Sequence, residues 1–359
     1  MSSGLALVDL TVSNPTICGF LYDAVDVLAP LGNPGAMTYD PDPRGIQSAR
    51  EAIAVYYADH GAAVDADAII LTTSTSEAYG YLFRLLCDAG DEVLVAQPSY
   101  PLFHYLAELE DVRLRSYPLF YDFGWWIDFA ELERRIGPRT KAILVVHPNN
   151  PTGHWTAAGE RERLREFCSR FRLALIVDEV FLDYALREAA GAVSFAAEQS
   201  PVLTFVLSGI SKIAGLPQMK AAWVLTVGPE NMQREALGRL EVIADTFLSM
   251  NASVQHALPS WLAARHRIQG QILRRVLKNL ATAEASGVPV LHTEAGWSAV
   301  LRVQGSAEDL VMEQRVIAHP GSFYGLSERN RVVVSLLTNE AAFTQGVYRL
   351  AAMSAKYSV

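Results

Sequence analysis

Apolar and polar positions along this chain fall into short runs that switch between two periods. Helix-spaced stretches are predicted at 46–58, 76–87, 100–108, 128–136 and 157–171. Between and after them lie the short apolar runs 68–73, 92–98, 112–118, 142–148, 173–179, 203–209 and 221–227, which read as strands. Several, such as AIILTT and LALIVDE, are continuous rather than alternating, as expected of strands covered by helices on both faces. Gly90, in DAGD, suits the left-handed residue that ends a helix at 76–87. Strand–helix alternation of this length predicts an α/β fold with a mostly parallel seven-stranded sheet. After Pro229 the pattern changes to long helices at 231–247 and 254–283, the second interrupted by Pro259, and then to short strands at 289–292, 298–303 and 331–336. The organisation expected is a large domain over 34–245 and a smaller α+β domain from 1–33 and 246–359, joined by a connecting helix at about 229–250.

Composition narrows the class. Of 359 residues, half are hydrophobic and 19% are charged, which suits a soluble globular protein with a sizeable core. The 30 basic and 39 acidic residues give a net charge of −9 with no basic run, so neither a nucleic acid nor an anionic membrane is an expected partner. Cys18, Cys87 and Cys168 lie far apart without a CxxC pair, which fits a reducing compartment and argues against a disulfide framework or a zinc site. The N-terminus lacks a basic region and meets Asp9 early, and no apolar stretch is long enough to span a bilayer. A cytoplasmic location without a membrane segment is expected.

In open α/β sheets, ligands gather at the carboxyl ends of the strands. The unusual residues of this chain fall at such ends: Ser74-Thr75-Ser76 after 68–73, Asn150 after 142–148, Asp178 at the end of 173–179, and Lys212 after 203–209. Hydroxyls and free N–H groups at a helix start suit a phosphate. The same residues also make a plain N-cap, Ser74 or Thr75 capping with Glu77 close behind. Lys212, flanked by Ser211 and Gly215, can point into a cleft, where desolvation turns its amine into a nucleophile. A surface lysine in a loop is the competing reading. Asp178 could likewise be a turn residue, Asn150-Pro151 a simple turn, Tyr100 core and Arg331 part of a surface pair.

LSGISKIAGLPQMK (207–220), HPNNPTG (147–153) and VDEVF (177–181) together carry a resemblance. With them, nearly the whole chain is similar to class I/II aminotransferases of pyridoxal-phosphate (PLP) fold type I. That resemblance implies that Lys212 bonds the cofactor as a Schiff base and shuttles the proton at the substrate α-carbon. It implies that Asp178 pairs with the pyridine nitrogen, Asn150 bonds the ring's 3′-oxygen, and Tyr100 stacks on the ring. The phosphate would lie on Ser74, Thr75 and Ser76, helped by Ser211 or Ser208 and by Lys220. Tyr39 matches a tyrosine that reaches the neighbouring subunit's phosphate, implying a homodimer with shared active sites. Arg331, in NRVVVSLL, aligns with the arginine that clamps the substrate α-carboxylate, and HPGSFYG (319–325) with the turn before that strand.

Three positions depart from the family pattern. Phe181 stands where a tyrosine usually donates to the 3′-oxygen, and losing that donor should raise the Schiff base's pKa; Tyr184 is the nearest hydroxyl along the chain. Lys220 replaces an arginine at the phosphate, keeping charge but losing the bidentate fork. Gly209 stands where serine is frequent, with Ser208 expected to point away. The leading expectation is transamination between an L-amino acid and a 2-oxo acid. A PLP-dependent lyase or cyclase acting on one amino acid is the alternative. A PLP-sensing regulatory module would need a DNA-binding domain, for which the chain has no basic helix-turn-helix. Trp125, Trp126, Phe20, Tyr22 and Trp297 are candidates for an apolar substrate pocket or for the core.

Overall fold

A computed structural model of the protein describes residues 5–188, 192–248 and 250–356. In chain order its strands are β1 (Val8–Asp9), β2 (Ile69–Thr72), β3 (Glu92–Gln97), β4 (Arg113–Tyr121), β5 (Trp125–Ile127) and β6 (Thr140–Val146). They continue with β7 (Ala174–Asp178), β8 (Thr204–Gly209), β9 (Ala222–Val227), β10 (Ser298–Arg302), β11 (Val316–Ile317), β12 (His319–Pro320) and β13 (Arg331–Ser335). The main sheet has eight strands in the order β2-β9-β8-β7-β6-β3-β4-β5. β8, β7, β6, β3 and β4 run parallel, while β9 is antiparallel to both β2 and β8. The eighth strand is β5, which lies between the predicted strand 112–118 and the predicted helix 128–136 and belongs to neither. It folds back antiparallel on Leu119–Tyr121 through a turn in which Phe123 takes a positive φ of 50°. Three residues are too few to show a period.

The strands form where the apolar runs lie, and β2, β7 and β8 are buried along their whole length, as helix-covered strands should be. Among the helices between them are Gln47–Asp59, Thr75–Leu86 and Ala158–Phe171. The helix Thr75–Leu86 ends on the extended Cys87, and Gly90 takes its left-handed φ of 83° in the following turn instead of at the helix cap. The break expected at Pro259 does not occur: Ala252–Ala285 is one helix of 34 residues. A proline inside a helix costs about 3 kcal/mol. Leu258, Trp261 and Leu262, buried against the main core on either side of it, supply the offsetting packing.

A second, smaller sheet has the order β10-β13-β12, all antiparallel. The stretch 289–292, expected as a strand, makes only an isolated bridge from Val290 to Leu301. Near the other end of the chain, β1 pairs in parallel with β11. Leu10, Ile272, Val276, Val334, Leu337 and Phe343 belong to the apolar core beneath this part, separate from the core around the main sheet. Among the described residues no helix is long and apolar enough to cross a membrane. Because β6, β7 and β8 run the same way, the loops after all three open on one edge of the sheet. That edge faces the smaller sheet, and the cavity between them is lined from both sides.

Candidate active site

The cavity has a volume of about 230 Å³ and contains Lys212, Asp178, Asn150, Tyr100, Thr75 and Ser211 in its walls. Lys212 lies in a four-residue helix, Ile210–Ile213, that begins directly after β8. So short a helix cannot satisfy its own last carbonyls. Side chains do so instead: Tyr184 Oη donates to the Lys212 carbonyl at 2.6 Å, and Gln269 Nε2 to that of Ile213 at 2.9 Å. Tyr22 Oη donates to the Gly215 carbonyl at 2.8 Å. The backbone that carries the amine is thereby fixed from three directions. Lys212 Nζ stands 5.2 Å from the ring centroid of Trp297 and 5.7 Å from that of Phe181. Burial holds its pKa below the ordinary lysine value, with the Asp178 charge partly opposing the shift.

Asp178 closes β7 and is buried. Tyr79 Oη donates to Asp178 Oδ2 at 2.8 Å, and the Val180 N–H donates to Oδ1 at 3.1 Å. Burial nevertheless pushes the carboxyl up to about 6, against those two donors and Lys212. Asn150 follows β6 in a turn built by its neighbour: Thr152 Oγ1 donates to Asn149 Oδ1 at 2.8 Å, and the Gly153 N–H to the Asn149 carbonyl at 2.8 Å. Gly153 has a φ of 71°, and a Cβ there would lie 2.4 Å from the Ala295 carbonyl oxygen, so only glycine closes this turn. Among the described residues the Asn150 amide has no hydrogen-bond partner, so it is free to meet a ligand in the cavity.

At the start of Thr75–Leu86, Ser74 is the N-cap, its Oγ accepting from the Glu77 N–H at 3.2 Å. Glu77 reaches back to accept from the Thr73 N–H at 2.6 Å. The capping reading of this segment is therefore realised in full. It leaves the N–H groups of Thr75 and Ser76, the first two helical residues, available for an anion at the positive end of the helix.

Comparison with known proteins gives this constellation a family. Residues 28–343 match the model of the family "Aminotransferase class I and II". The chain belongs to this family. A glutamate-pyruvate aminotransferase of Haemophilus influenzae is 29% identical over 274 residues, which cover 75% of this chain and 67% of that protein. An alanine aminotransferase of Mycobacterium tuberculosis is 29% identical over 277 residues, covering 76% of this chain and 64% of that one. The match thus spans about two thirds of the relatives' own length. Among solved structures, alanine aminotransferase from Pyrococcus furiosus superposes with a TM-score of 0.88 at 20% identity, covering 98% of this chain and 93% of that one. Tyrosine aminotransferase from Leishmania infantum gives 0.87 at 20%, covering 99% and 93%. The fold is that of fold-type I aminotransferases.

The family implies PLP, and the cavity fits it. A buried carboxylate that burial alone would neutralise is suited to a protonated ring nitrogen, a desolvated amine to an aldehyde, and an open helix N-terminus to a phosphate. Gly209 fits as well. It pairs with Ala222 across β8 and β9, and a Cβ on it would lie 2.9 Å from both the Ala221 carbonyl oxygen and the Ala222 Cβ. The close approach of β9 dictates the glycine that the family pattern leaves unexplained. Ser208 is buried and directs its Oγ to the Glu179 carbonyl at 3.5 Å, away from the cavity.

Other expected residues stand elsewhere. Phe181 lines the cavity with its ring edge-on to Trp297, and the Tyr184 hydroxyl is used on the Lys212 backbone, not on the cavity side. Lys220 is exposed at a left-handed turn, φ 56°. Neither Ser74 nor Ser76 is among the lining residues. Tyr39 is 76% exposed on the surface of the single chain. Arg331 does not share the cavity with Lys212; Val333, Val334 and Ser335 do. Arg331 lies opposite Arg302 across the β10–β13 pair and lines a separate cavity with Arg302 and Arg135. Of the aromatic pocket candidates only Trp297 faces the site; Trp125 lines the Arg331 cavity and Tyr22 a third one.

The sequence reading missed Tyr79, Thr11, Ser13 and His319, of which all but Tyr79 line the Lys212 cavity. Tyr79 had a signal: it sits one helical turn after Thr75, on the same face. Thr11 and Ser13 had none, because the β1–β11 pairing brings them in from the other end of the chain.

Proposed function

We propose that this chain is a PLP-dependent aminotransferase that moves an amino group between an L-amino acid and a 2-oxo acid. The observation that carries the proposal is the meeting of Lys212, Asp178 and Asn150 at three neighbouring strand ends around one cavity. When bound, PLP supplies an electron sink for bond breaking at the carbon that bears the amine. The chain's own residues do the rest. The Lys212 amine, uncharged more readily than an exposed lysine, would hold the cofactor through its aldehyde and would move the proton at the α-carbon. The Asp178 carboxylate, steadied by Tyr79, holds a proton on the ring nitrogen. The Asn150 amide would donate to the ring's 3′-oxygen, and Tyr100, edge-on to Phe103, would cover the ring. The N–H groups of Thr75 and Ser76 and the Thr75 and Ser211 hydroxyls would hold the phosphate. Trp297 and Phe181 exclude water from Lys212 Nζ.

The active form in this proposal is a homodimer. Tyr39 is largely exposed in the single chain, and Leu21, Val25 and the 90%-exposed Met37, which precede it, add apolar surface that a second copy would cover. Tyr39 then reaches the partner's phosphate. A cytoplasmic location agrees with the cysteine usage.

The names of the relatives make L-alanine the first donor to test. Holoenzyme supplied with L-alanine and 2-oxoglutarate should yield pyruvate and L-glutamate in equal amounts. Lys212→Ala should abolish both this turnover and the covalent retention of cofactor after borohydride reduction. L-Serine, which carries the β-leaving group that alanine lacks, tests the lyase alternative: pyruvate and ammonia formed from it, with no glutamate, would establish that reading.

A further inference from the structure

Besides Lys212 and Asp178, both given to the cofactor, the described lining residues of the cavity include no acid, lysine or arginine. What the remaining wall offers a substrate side chain is one imidazole and four hydroxyls: His319, Thr11, Ser13, Ser298 and Ser335. Strand register brings them together. β1 and β11 run parallel with Asp9 beside Ile317, and the Leu10 N–H still donates to the Ile317 carbonyl at 2.9 Å, which carries Thr11 toward His319. His319 stands directly across from Val333 of β13, and Ser298 directly across from Ser335. Directly opposed residues share a face, as do alternate residues of one strand, so these side chains present one surface. Arg331, two residues before Val333, belongs to the same face. It is buried with Nη1 unpartnered, which suits the substrate α-carboxylate that the family pattern gives it. The imidazole and hydroxyls are left for the other end of the substrate.

The His319 ring is stacked on Phe323, with centroids 5.4 Å apart and planes 15° from parallel, and meets Tyr324 edge-on at 6.0 Å. Packing thus sets its orientation, while among the described residues neither ring nitrogen has a hydrogen-bond partner. Burial holds its pKa below the ordinary histidine value, against the pull of Asp9, so at neutral pH one nitrogen donates and the other accepts. The hydroxyls are likewise open. Ser13 and Ser298 have no hydrogen-bond partner among the described residues. Ser335 accepts from the Leu337 N–H at 3.2 Å and keeps its own proton to give, whereas Thr11 gives its proton to Asp9 at 2.6 Å and keeps its lone pairs. Such a wall exchanges hydrogen bonds without charge. An ionised side chain would leave water there with no opposite charge to meet, and an apolar one would leave the polar groups unpaired. The cavity, at about 230 Å³, is smaller than the roughly 300–1,000 Å³ of most small-molecule sites and must take the cofactor as well, so the side chain is short.

We infer that His319, with the hydroxyls beside it, selects an amino acid whose short side chain ends in an uncharged hydrogen-bonding group, of which a hydroxyl is the smallest. The inference rests on the aminotransferase reading and deepens it: L-alanine fits the cavity but leaves His319 unused, whereas L-serine engages it.

Two measurements on the holoenzyme test it, each with a pair of equal size that differs in one hydroxyl. As amino donors to 2-oxoglutarate, L-serine should exceed L-2-aminobutyrate in kcat/KM about tenfold, the worth of one or two neutral hydrogen bonds. His319→Phe keeps a ring to stack on Phe323 and removes both nitrogens. It should lose most of that preference through L-serine alone and use L-2-aminobutyrate about as well as the wild type. The corresponding oxo acids, hydroxypyruvate and 2-oxobutyrate, lack an amine and do not react with the PLP-loaded enzyme, so calorimetric titration reads the same discrimination without turnover. The wild type should bind hydroxypyruvate about tenfold more tightly, and His319→Phe should bind the two alike. A wild type that favours the hydroxyl in neither measurement overturns the inference, as does a His319→Phe variant that keeps the full preference. If L-serine yields pyruvate and ammonia, or no donor is turned over, the aminotransferase reading fails while the oxo-acid titration still decides the role of His319.

Discussion

Asp178 faces opposing demands: burial removes the water that favours its charge, yet its task requires that charge. Tyr79 tips the balance by donating to Oδ2, in a core position where its own hydroxyl has no reason to be except this bond. Tyr79→Phe should therefore raise the Asp178 pKa further above about 6 and leave less carboxylate at neutral pH. Its apoenzyme should bind PLP about tenfold more weakly at pH 6, and the deficit should shrink by pH 8, where the carboxyl is ionised in both proteins. Fluorescence titration with PLP at the two pH values checks this, and a deficit independent of pH would count against it. Gly209 yields a second prediction at the same scale. Because a Cβ would press on the Ala221 carbonyl, Gly209→Ser should lower stability by about 1–3 kcal/mol instead of adding a phosphate contact, measured by urea unfolding. The strand-end residues were legible in the sequence because parallel strands force their ends to one edge. What was not legible depended on approach distances, as at Gly209, or on a partner from another element, as at Asp178. Arg331, the substrate clamp that the family pattern implies, is buried with Nη1 unpartnered and lines the cavity beside that of Lys212, two residues along the strand from the cavity-lining Val333.

Between the residues and the fold, the turn carrying Asn150 illustrates how one element is fixed by ionisable groups from three. His154 Nε2 contacts Glu160 at 2.9 Å on the following helix, and Nδ1 contacts Glu294 at 3.5 Å before β10. Glu160 also accepts from the N–H groups of Ile127 and Ala157, both within hydrogen-bond range at 2.7 and 2.9 Å. Burial lowers the His154 pKa, but the two carboxylates outweigh it and leave the value raised, while both carboxylates are lowered by the imidazolium. The signs fix the pH window. A raised histidine contributes stability that is complete below its ordinary value, about 6.5, and is lost as pH climbs through the raised one. Lowered carboxylates contribute above about 4.3 and lose the contribution as pH falls through their depressed values. His154→Ala should accordingly cost about 3 kcal/mol at pH 6, the loss expected on unpairing buried charge. The gap to wild type should narrow at pH 9; urea midpoints at the two pH values measure it, and a constant gap would refute the charged pairing. At this scale most of the fold was legible, since apolar runs and helical spacing are local. The β5 hairpin was not, being too short for a period, nor was the unbroken helix through Pro259, where tertiary packing overrides a local signal.

For the whole molecule, the two ends of the chain and the surface around Tyr39 decide how the site is completed. Residues Thr11 and Ser13 reach the cavity because β1 is paired to β11, so the N-terminal segment is a wall of the site as well as half of a two-stranded sheet. Tyr39, by contrast, is turned outward with Met37 beside it, and its place in the proposed dimer is across the interface. Mixed dimers separate the possibilities by arithmetic. Lys212→Ala homodimers lack the amine in both sites, and Tyr39→Ala homodimers lack the crossing hydroxyl in both. In a hybrid of the two, a site with an intact Lys212 receives Tyr39 from the Lys212→Ala chain if the residue acts across the interface, which restores one complete site per dimer. If Tyr39 acts within its own chain, that same site lacks it and nothing is restored. Co-expression with two different affinity tags and tandem purification should therefore give hybrids with about half the wild-type turnover per dimer, one working site of two. Hybrids no more active than the Tyr39→Ala homodimer would place the residue outside the partner's site. Met37→Glu, which sets a charge in the proposed apolar contact, should shift the sedimentation profile toward monomer and lower activity in step with the loss of dimer.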